Sequence, residues 1–486
     1  METSRQHRYV IIGAGMAGIL AGVRLLKAGK TNFCIYEKAD RIGGTWRENT
    51  YPGLTCDVPS HSYTYSFEPN PDWSRHLPPG AEIQAYFENI VEKYQLHTYI
   101  KFNQQITACD FQDNQWHIET TDGEIDCADF VIAATGVLHH PRYPDIQGID
   151  DFQGNIFHSA RWDHAVPLDG KRIAVIGTGS TGVQIISALA SRAQQLTHFQ
   201  RTPQWIMPVI NGVFSEAEKA AFRADPALLK KIQNDPELDA NIERFSEAIT
   251  DPESAAMHAI ETIVRNNLEQ SVTDPLLREK LRPDYRAACK RLIYSEDFYR
   301  AVQQANVMVI VEGVQAIEPT GIRTSDGVLH EFDVIVLATG FKADMFMRPM
   351  NVTGRNGVSL NAVWSDRPTA YMSISIPGFP NLFMLNGPNG PVGNFSLIEI
   401  AEQQWAYIEQ LIAQVEQGTC QTICASKKAL EDFDKRRIAA AKKTIFASGC
   451  QSWYLDAQGI PATWPWTRGE FKKAMLHPIL KDFEYQ

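Results

Sequence analysis

One glycine spacing occurs twice in the chain and constrains its fold more than any other feature. Gly13, Gly15 and Gly18 stand in "GAGMAG", and Gly177, Gly179 and Gly182 stand in "GTGSTG". Each triplet follows a short apolar run, Tyr9 to Ile12 and Arg172 to Ile176, and opens a stretch of helical periodicity. A buried strand, G-x-G-x-x-G and a helix make a βαβ nucleotide-binding unit. The first glycine forms the tight turn, the second admits a pyrophosphate to the backbone, and the third lets helix and strand pack closely. The first helix is predicted from Met16 to Lys27 with Gly29 as its stop. The strand "NFCIYEK" then ends on Glu37, 37 − 13 = 24 positions past Gly13, and "LTHFQRT" ends on Arg201, 201 − 177 = 24 positions past Gly177.

The offsets match but the charges are opposite. Glu37 is placed to accept a ribose diol and repels a 2′-phosphate, so the first ligand is FAD or NAD(H). Arg201, with Thr202 beside it, suits a 2′-phosphate and makes the second ligand NADPH; the alternative is an ordinary exposed arginine. Two dinucleotides in one chain exchange electrons, and a flavin with NADPH is the natural pair.

A chain of 486 residues exceeds one core, and its composition is that of a globular protein. The expected fold class is α/β, with two Rossmann-like dinucleotide-binding domains, for FAD and NADPH, and a helical insert. The FAD domain is expected to be split between 1–148 and 331–486, the NADPH domain between 149–212 and 287–330, and the polar, "DP"-broken segment 213–286 is the insert. Net charge is −11 with no long basic block, which argues against nucleic acid. No run of about 18 apolar residues predicts a membrane span, and "METSRQHRYV" has no signal-peptide core, so a cytoplasmic protein is expected. The eight cysteines are scattered without a Cys-x-x-Cys pair and are expected to be reduced, with no metal site and no redox dithiol near the first glycines.

Two longer stretches identify a family. "GGTWRENTYPGLTCD", Gly43 to Asp57, and "FQGNIFHSARWD", with Phe152, Gly154, His158, Trp162 and Asp163, resemble the two fingerprints of type I Baeyer–Villiger monooxygenases of the flavin-containing monooxygenase superfamily. "DFVIAATGVL" and "DVIVLATGF" match its interdomain crossings. The resemblance implies an enzyme that uses FAD, NADPH and O2 to insert oxygen beside the carbonyl of a small lipophilic ketone, via a C4a-peroxyflavin. It implies Arg291 of "ACKRLIYSEDFY" as the cation over the flavin, Asp57 as its partner, and Lys290 on the 2′-phosphate with Arg201 and Thr202. FAD contacts are then expected from Gly13, Gly15, Met16, Ala17, Gly18, Glu37, Lys38, Gly44, Thr45, Trp46, Asp57 and Tyr63. NADP contacts are expected from Thr178, Gly179, Ser180, Thr181, Gly182, Arg201, Thr202, Lys290, Arg291, Thr339, Gly340 and, in "SWYLD", Trp453.

The linker stretch carries its own physical reading. Phe152 and Trp162 bury aromatic area at a domain interface, Gly154 permits a bend, and His158 hydrogen-bonds across the hinge without a proton role. In "NGPNGPVGNFSLIEI", Asn394 or Ser396 caps a helix, and Phe395 and Leu397 line the substrate pocket or pack in the core. "ATWPWTRGEF" departs from the family's pattern. Two other readings stay open: a flavin monooxygenase acting on sulfide or amine, against which Trp162-Asp163 argues, and a non-catalytic nucleotide-binding sensor. Either a monomer or a homo-oligomer fits.

Overall fold

A computed structural model of the chain describes residues 6–393 and 395–486. Its two parallel five-stranded sheets match in four strands and differ in the edge strand, which comes last in the chain in the first sheet and first in the second. The first runs Leu382–Met384, Phe130–Ala133, Tyr9–Ile12, Phe33–Tyr36, Ile100–Lys101. The second runs Asn155–His158, Val334–Leu337, Arg172–Ile176, Gln195–Phe199, Val307–Ile310. In each the glycine-bearing strand is central; Tyr9–Ile12 is buried throughout and Ile173–Val175 is the buried middle of the second, because helices pack on one face of each sheet and a smaller, largely antiparallel sheet packs on the other. The helices Met16–Lys27 and Ser180–Leu189 follow directly, each with a glycine, Gly15 or Gly179, at the N-cap.

The first glycine of each triplet is required by contact as well as by conformation. Gly13 and Gly177 have φ of +102° and +125°. A methyl group on either would lie 2.7 Å or 2.1 Å from the carbonyl oxygen of Ala134 or Ala338, the alanine of the neighbouring "ATG". Each ATG strand therefore lies directly beside a glycine strand. This overturns one expected boundary: Val334–Leu337 pairs with Arg172–Ile176 and Asn155–His158, so it belongs to the second sheet rather than to a 331–486 portion of the first unit. An apolar run of four residues reads alike in either sheet, and only strand pairing distinguishes them.

Segment 213–286 is helical: Glu216–Ala224, Pro226–Gln233, Pro236–Thr250, Ala255–Ser271 and Pro275–Lys280. Three of its "DP" pairs start helices. Asp225, Asp235 and Asp274 accept a backbone N–H at the N-cap, and the following proline fills the first helical position, where no N–H is needed. Phe214, Phe222 and Leu229 join the core of the first unit, and Leu268, Val272 and Leu281 join that of the second.

Cys289 and Cys450 form a disulfide across 161 residues of sequence, correcting the expectation of reduced thiols throughout. Ala248, Met257 and Val264 of the insert gather Cys289 and Leu292 with Ile445, Phe446, Cys450 and Tyr454 in one buried cluster, which brings the two Cα atoms to 6.1 Å. Cys420 and Cys424 are buried and free.

Candidate active site between the two nucleotide units

The first cradle is built by Gly13, Gly15 and Gly18 with Gly44. Met16, half-buried, and Ala17, buried, begin its helix, and the helix N-cap makes no side-chain hydrogen bond, so its N–H groups remain for an anion. Gly44 faces Gly15 so closely that a methyl on Gly44 would lie 3.1 Å from the Gly15 Cα. Glu37 is buried at the end of its strand and accepts from the backbone N–H of Ala14 at 2.8 Å and of Ala39 at 3.0 Å. Arg47, unnoticed in the sequence because it occupies a variable position of the fingerprint, is also buried and donates to Glu37 at 3.0 Å. Lys38 and Thr45 are exposed, and Lys38 lies 3.5 Å from the His139 ring nitrogen. Trp46 Nε1 donates to the Tyr63 hydroxyl at 3.1 Å, and the two rings meet edge to face.

The second cradle repeats this, with Gly182 held as Gly18 is: a methyl on either would clash with the carbonyl of Gly177 or Gly13 at about 2 Å. Thr178 accepts from Gln204 at 3.3 Å, while Ser180 and Thr181 open the helix after Gly179. Arg201, Thr202 and Lys290 line one cleft with Asp284 and Tyr285. Burial lowers the Lys290 pKa, the nearby positive charge of Arg201 lowers it further, and Asp284 partly offsets both. Among the described residues neither Arg201 nor Lys290 has a salt bridge to a carboxylate. Two cations that line one cleft without a salt bridge fit a phosphate, and both cradles fit dinucleotides. Trp453 is 41% exposed and packs its ring 4.2 Å from that of Tyr454.

Next to Lys290 in sequence, Arg291 reaches the first fingerprint: its Nε donates to Asp57 Oδ2 at 2.9 Å, and its Nη1 donates to the Gly393 carbonyl. Burial acts against the guanidinium charge, but Asp57 and Tyr454 outweigh it and raise the Arg291 pKa above its already high ordinary value. The structure thus joins residues 234 positions apart that the sequence reading paired only by resemblance.

The linker fingerprint behaves as a joint. His158 is fully buried; its Nδ1 accepts from the Ala160 N–H at 3.1 Å, so its Nε2 carries the hydrogen and donates to the Gly340 carbonyl at 3.1 Å. Burial lowers its pKa, against the pull of that carbonyl. Gly340 also accepts from Arg142 N at 2.8 Å, Thr339 donates to the Arg142 carbonyl, and Lys342 N donates to the His140 carbonyl at 2.9 Å. The two chain crossings therefore pair with each other, and His158 is bonded to the pair. Trp162 packs edge to face on Phe157 in the cluster that also holds Tyr51 of the first fingerprint. Phe152, expected at the interface, instead sits in the second unit's own core with Phe199 and Phe332. A methyl on Gly154 would meet the Asp333 carbonyl at 2.6 Å, and exposed Asp163 accepts from Ala165 N in a local turn.

Ser396 is the N-cap of helix Leu397–Glu416, but its hydroxyl makes no capping bond, contrary to expectation; Asn394 lies outside the described residues. Phe395 is buried and Leu397 is partly buried against the first unit's core. Among the described residues no cluster of three or more His, Cys, Asp or Glu is placed to hold a metal ion, and no helix is long and apolar enough to cross a membrane.

Known proteins share this architecture. The family model "Pyridine nucleotide-disulphide oxidoreductase" matches residues 10–224. A Baeyer–Villiger monooxygenase of Streptomyces coelicolor is 37% identical over 99% of this chain and 93% of its own. Cyclohexanone monooxygenase from Rhodococcus sp. Phi1, solved bound to NADP+, is 30% identical with a TM-score of 0.86 over 99% of both chains. The solved complex of OTEMO with FAD and NADP is 27% identical with a TM-score of 0.88 over 100% of both chains. On sequence and fold together, the chain belongs to the Baeyer–Villiger monooxygenases, a family of flavoprotein monooxygenases.

Proposed function

We propose that the protein consumes NADPH and O2 to insert one oxygen atom beside a ketone carbonyl, giving an ester or lactone, water and NADP+. The observation that carries this reading is Arg291, held by Asp57 of the first fingerprint and by the Gly393 carbonyl in a chain with two glycine cradles. In it, Gly13, Gly15, Gly18, Gly44 and Glu37 hold FAD, and Gly177, Gly179, Gly182, Arg201, Thr202 and Lys290 hold NADPH. The domain assignment follows: FAD in the first unit, NADPH in the second. When bound by these residues, FAD would supply the two-electron transfer between NADPH and O2, chemistry that no side chain supplies.

The residues do the rest. Arg201 and Lys290 bind the 2′-phosphate by charge. Arg291, cationic at every working pH, stabilises negative charge as it develops on the oxygens of the reacting centre. Asp57 and Gly393 fix the guanidinium in advance, so little reorganisation accompanies the reaction. Neutral His158 holds the crossings together and moves no proton. Trp162 and the paired crossings keep the units closed and exclude water.

The names of the relatives support a ketone substrate and both cofactors. The deciding experiment supplies NADPH and 18O2 with panels of ketones and thioethers. An ester carrying one labelled oxygen supports the reading. Sulfoxides without esters replace it with the sulfide- or amine-oxygenating reading. Nucleotide binding with no NADPH consumption makes the protein a sensor.

A further inference from the structure

Arg291 has a third neighbour that the family fingerprints do not contain. Gly393, whose carbonyl accepts from Arg291, has φ of +85°. A methyl on it would lie 2.1 Å from the Tyr454 hydroxyl oxygen and 3.1 Å from Arg291 Nη1, so phenol and guanidinium converge on one point. Tyr454 is buried, its ring packed 4.4 Å from Phe446 and 4.2 Å from Trp453. The phenol oxygen therefore lies beside the guanidinium, and the two interact favourably. A guanidinium has five donors and no acceptor, and Asp57 and Gly393 take only part of them.

The covalent connectivity points the same way. Cys289 lies two residues before Arg291 and Cys450 four before Tyr454, so the Cys289–Cys450 disulfide ties the segment that carries the cation to the segment that carries the phenol. Leu455 and Pro461 bridge, and Ala462 N donates to the Tyr454 carbonyl at 2.8 Å, which closes the loop beyond Tyr454. The phenol is thus fixed on both sides.

We propose that Tyr454 is a positioning residue for Arg291, and that the Cys289–Cys450 disulfide holds it there. The proposal rests on the reading of Arg291 as the cation of the active site. Tyr454 does not exchange protons with substrate; it occupies a guanidinium N–H and prevents the side chain from rotating away from the reacting centre.

The test uses the holoenzyme and two readouts. Tyr454→Phe keeps the ring and removes the hydroxyl. Its kcat for ketone oxygenation should fall about tenfold, the size of one hydrogen bond to a charged group. Flavin content, KM for NADPH and the anaerobic rate of flavin reduction should stay within about twofold, on the same scale. Labelling of Arg291 by phenylglyoxal, followed by peptide mass spectrometry, should accelerate several-fold while labelling of Arg286 does not. Cys450→Ser, which leaves the phenol in place, should shift both readouts in the same direction, as should dithiothreitol, whose two thiols are oxidised to a disulfide as Cys289 and Cys450 become thiols. Unchanged kcat and labelling in Tyr454→Phe overturn the role of Tyr454. Full activity and unchanged labelling in Cys450→Ser remove the disulfide from it. A Tyr454→Phe protein without flavin overturns the positioning role in favour of a folding one. Wild-type enzyme that forms no ester overturns the functional reading instead, and labelling then still decides the contact.

Discussion

The Tyr51 hydroxyl, in the first fingerprint, donates to Gln184 Oε1, on the helix of the second unit, at 2.9 Å. Gln184 Nε2 returns two bonds to Thr55, to its carbonyl at 3.0 Å and its hydroxyl at 3.1 Å. A methyl on Gly53 would sit 2.6 Å from the Gln184 carbonyl. The Y-P-G-x-T part of the fingerprint is therefore shaped to receive one helix turn. Gln184→Ala strands the Tyr51 hydroxyl and should cost about 1–3 kcal/mol. Thermal unfolding should begin a few degrees lower with flavin content unchanged; an unaltered melting curve would show that the seam bears no stability.

Arg201→Ala should raise the KM for NADPH by about 10- to 100-fold, the loss of charge-assisted bonds to a 2′-phosphate. The KM for NADH should change far less. Steady-state kinetics with the two nucleotides decides it, and equal effects would place the phosphate elsewhere.

Removing the Arg291 charge separates two half-reactions. Arg291→Ala should still allow NADPH to reduce bound flavin, because hydride transfer needs no cation there, while ester formation falls by about 100-fold or more. Stopped-flow reduction and product analysis on the same sample check it. Full ketone turnover would remove Arg291 from the mechanism.

His158→Ala should retain FAD, slow its reduction and release more hydrogen peroxide per NADPH, because the bond to Gly340 joins the crossings rather than either cradle. Flavin content is measured first, then peroxide against ester. Loss of FAD would identify a folding residue; unchanged coupling would make the fingerprint histidine dispensable.

Acid should weaken the fold through the buried histidines. Burial lowers the pKa of His198 to about 4, although its Nε2 donates to the Gly177 carbonyl at 2.9 Å; His61 and His139 are likewise lowered to about 4, chiefly by burial. Each native pKa lies below the unfolded value of 6.5, so the unfolded state binds protons first as pH falls. Their stability contribution is complete above pH 6.5 and is lost as pH falls toward 4, by at most about 1.4 kcal/mol per pH unit for each histidine. Melting temperatures between pH 7 and 5 should show this slope, and His198→Gln should flatten it.

Local signals determined much of this protein. Gly13 to Glu37 and Gly177 to Arg201 spell out strand, turn, helix and strand because each step depends on neighbours within about 25 residues. The helices after the "DP" pairs were less explicit, though the physics of an Asp N-cap and a following proline is equally local. What the tertiary structure decided is everything that depends on which distant segments meet. The four apolar residues Val334–Leu337 look the same in either sheet until Arg172–Ile176 pairs with them. Cys289 and Cys450 have no spacing that marks a partner, and a buried cluster from four segments brings them together. Arg47 beside Glu37, Gln184 between Tyr51 and Thr55, and Tyr454 beside Arg291 carry no sequence signal, because a polar residue's role is set by the partner it finds once buried, and burial is a property of the folded chain.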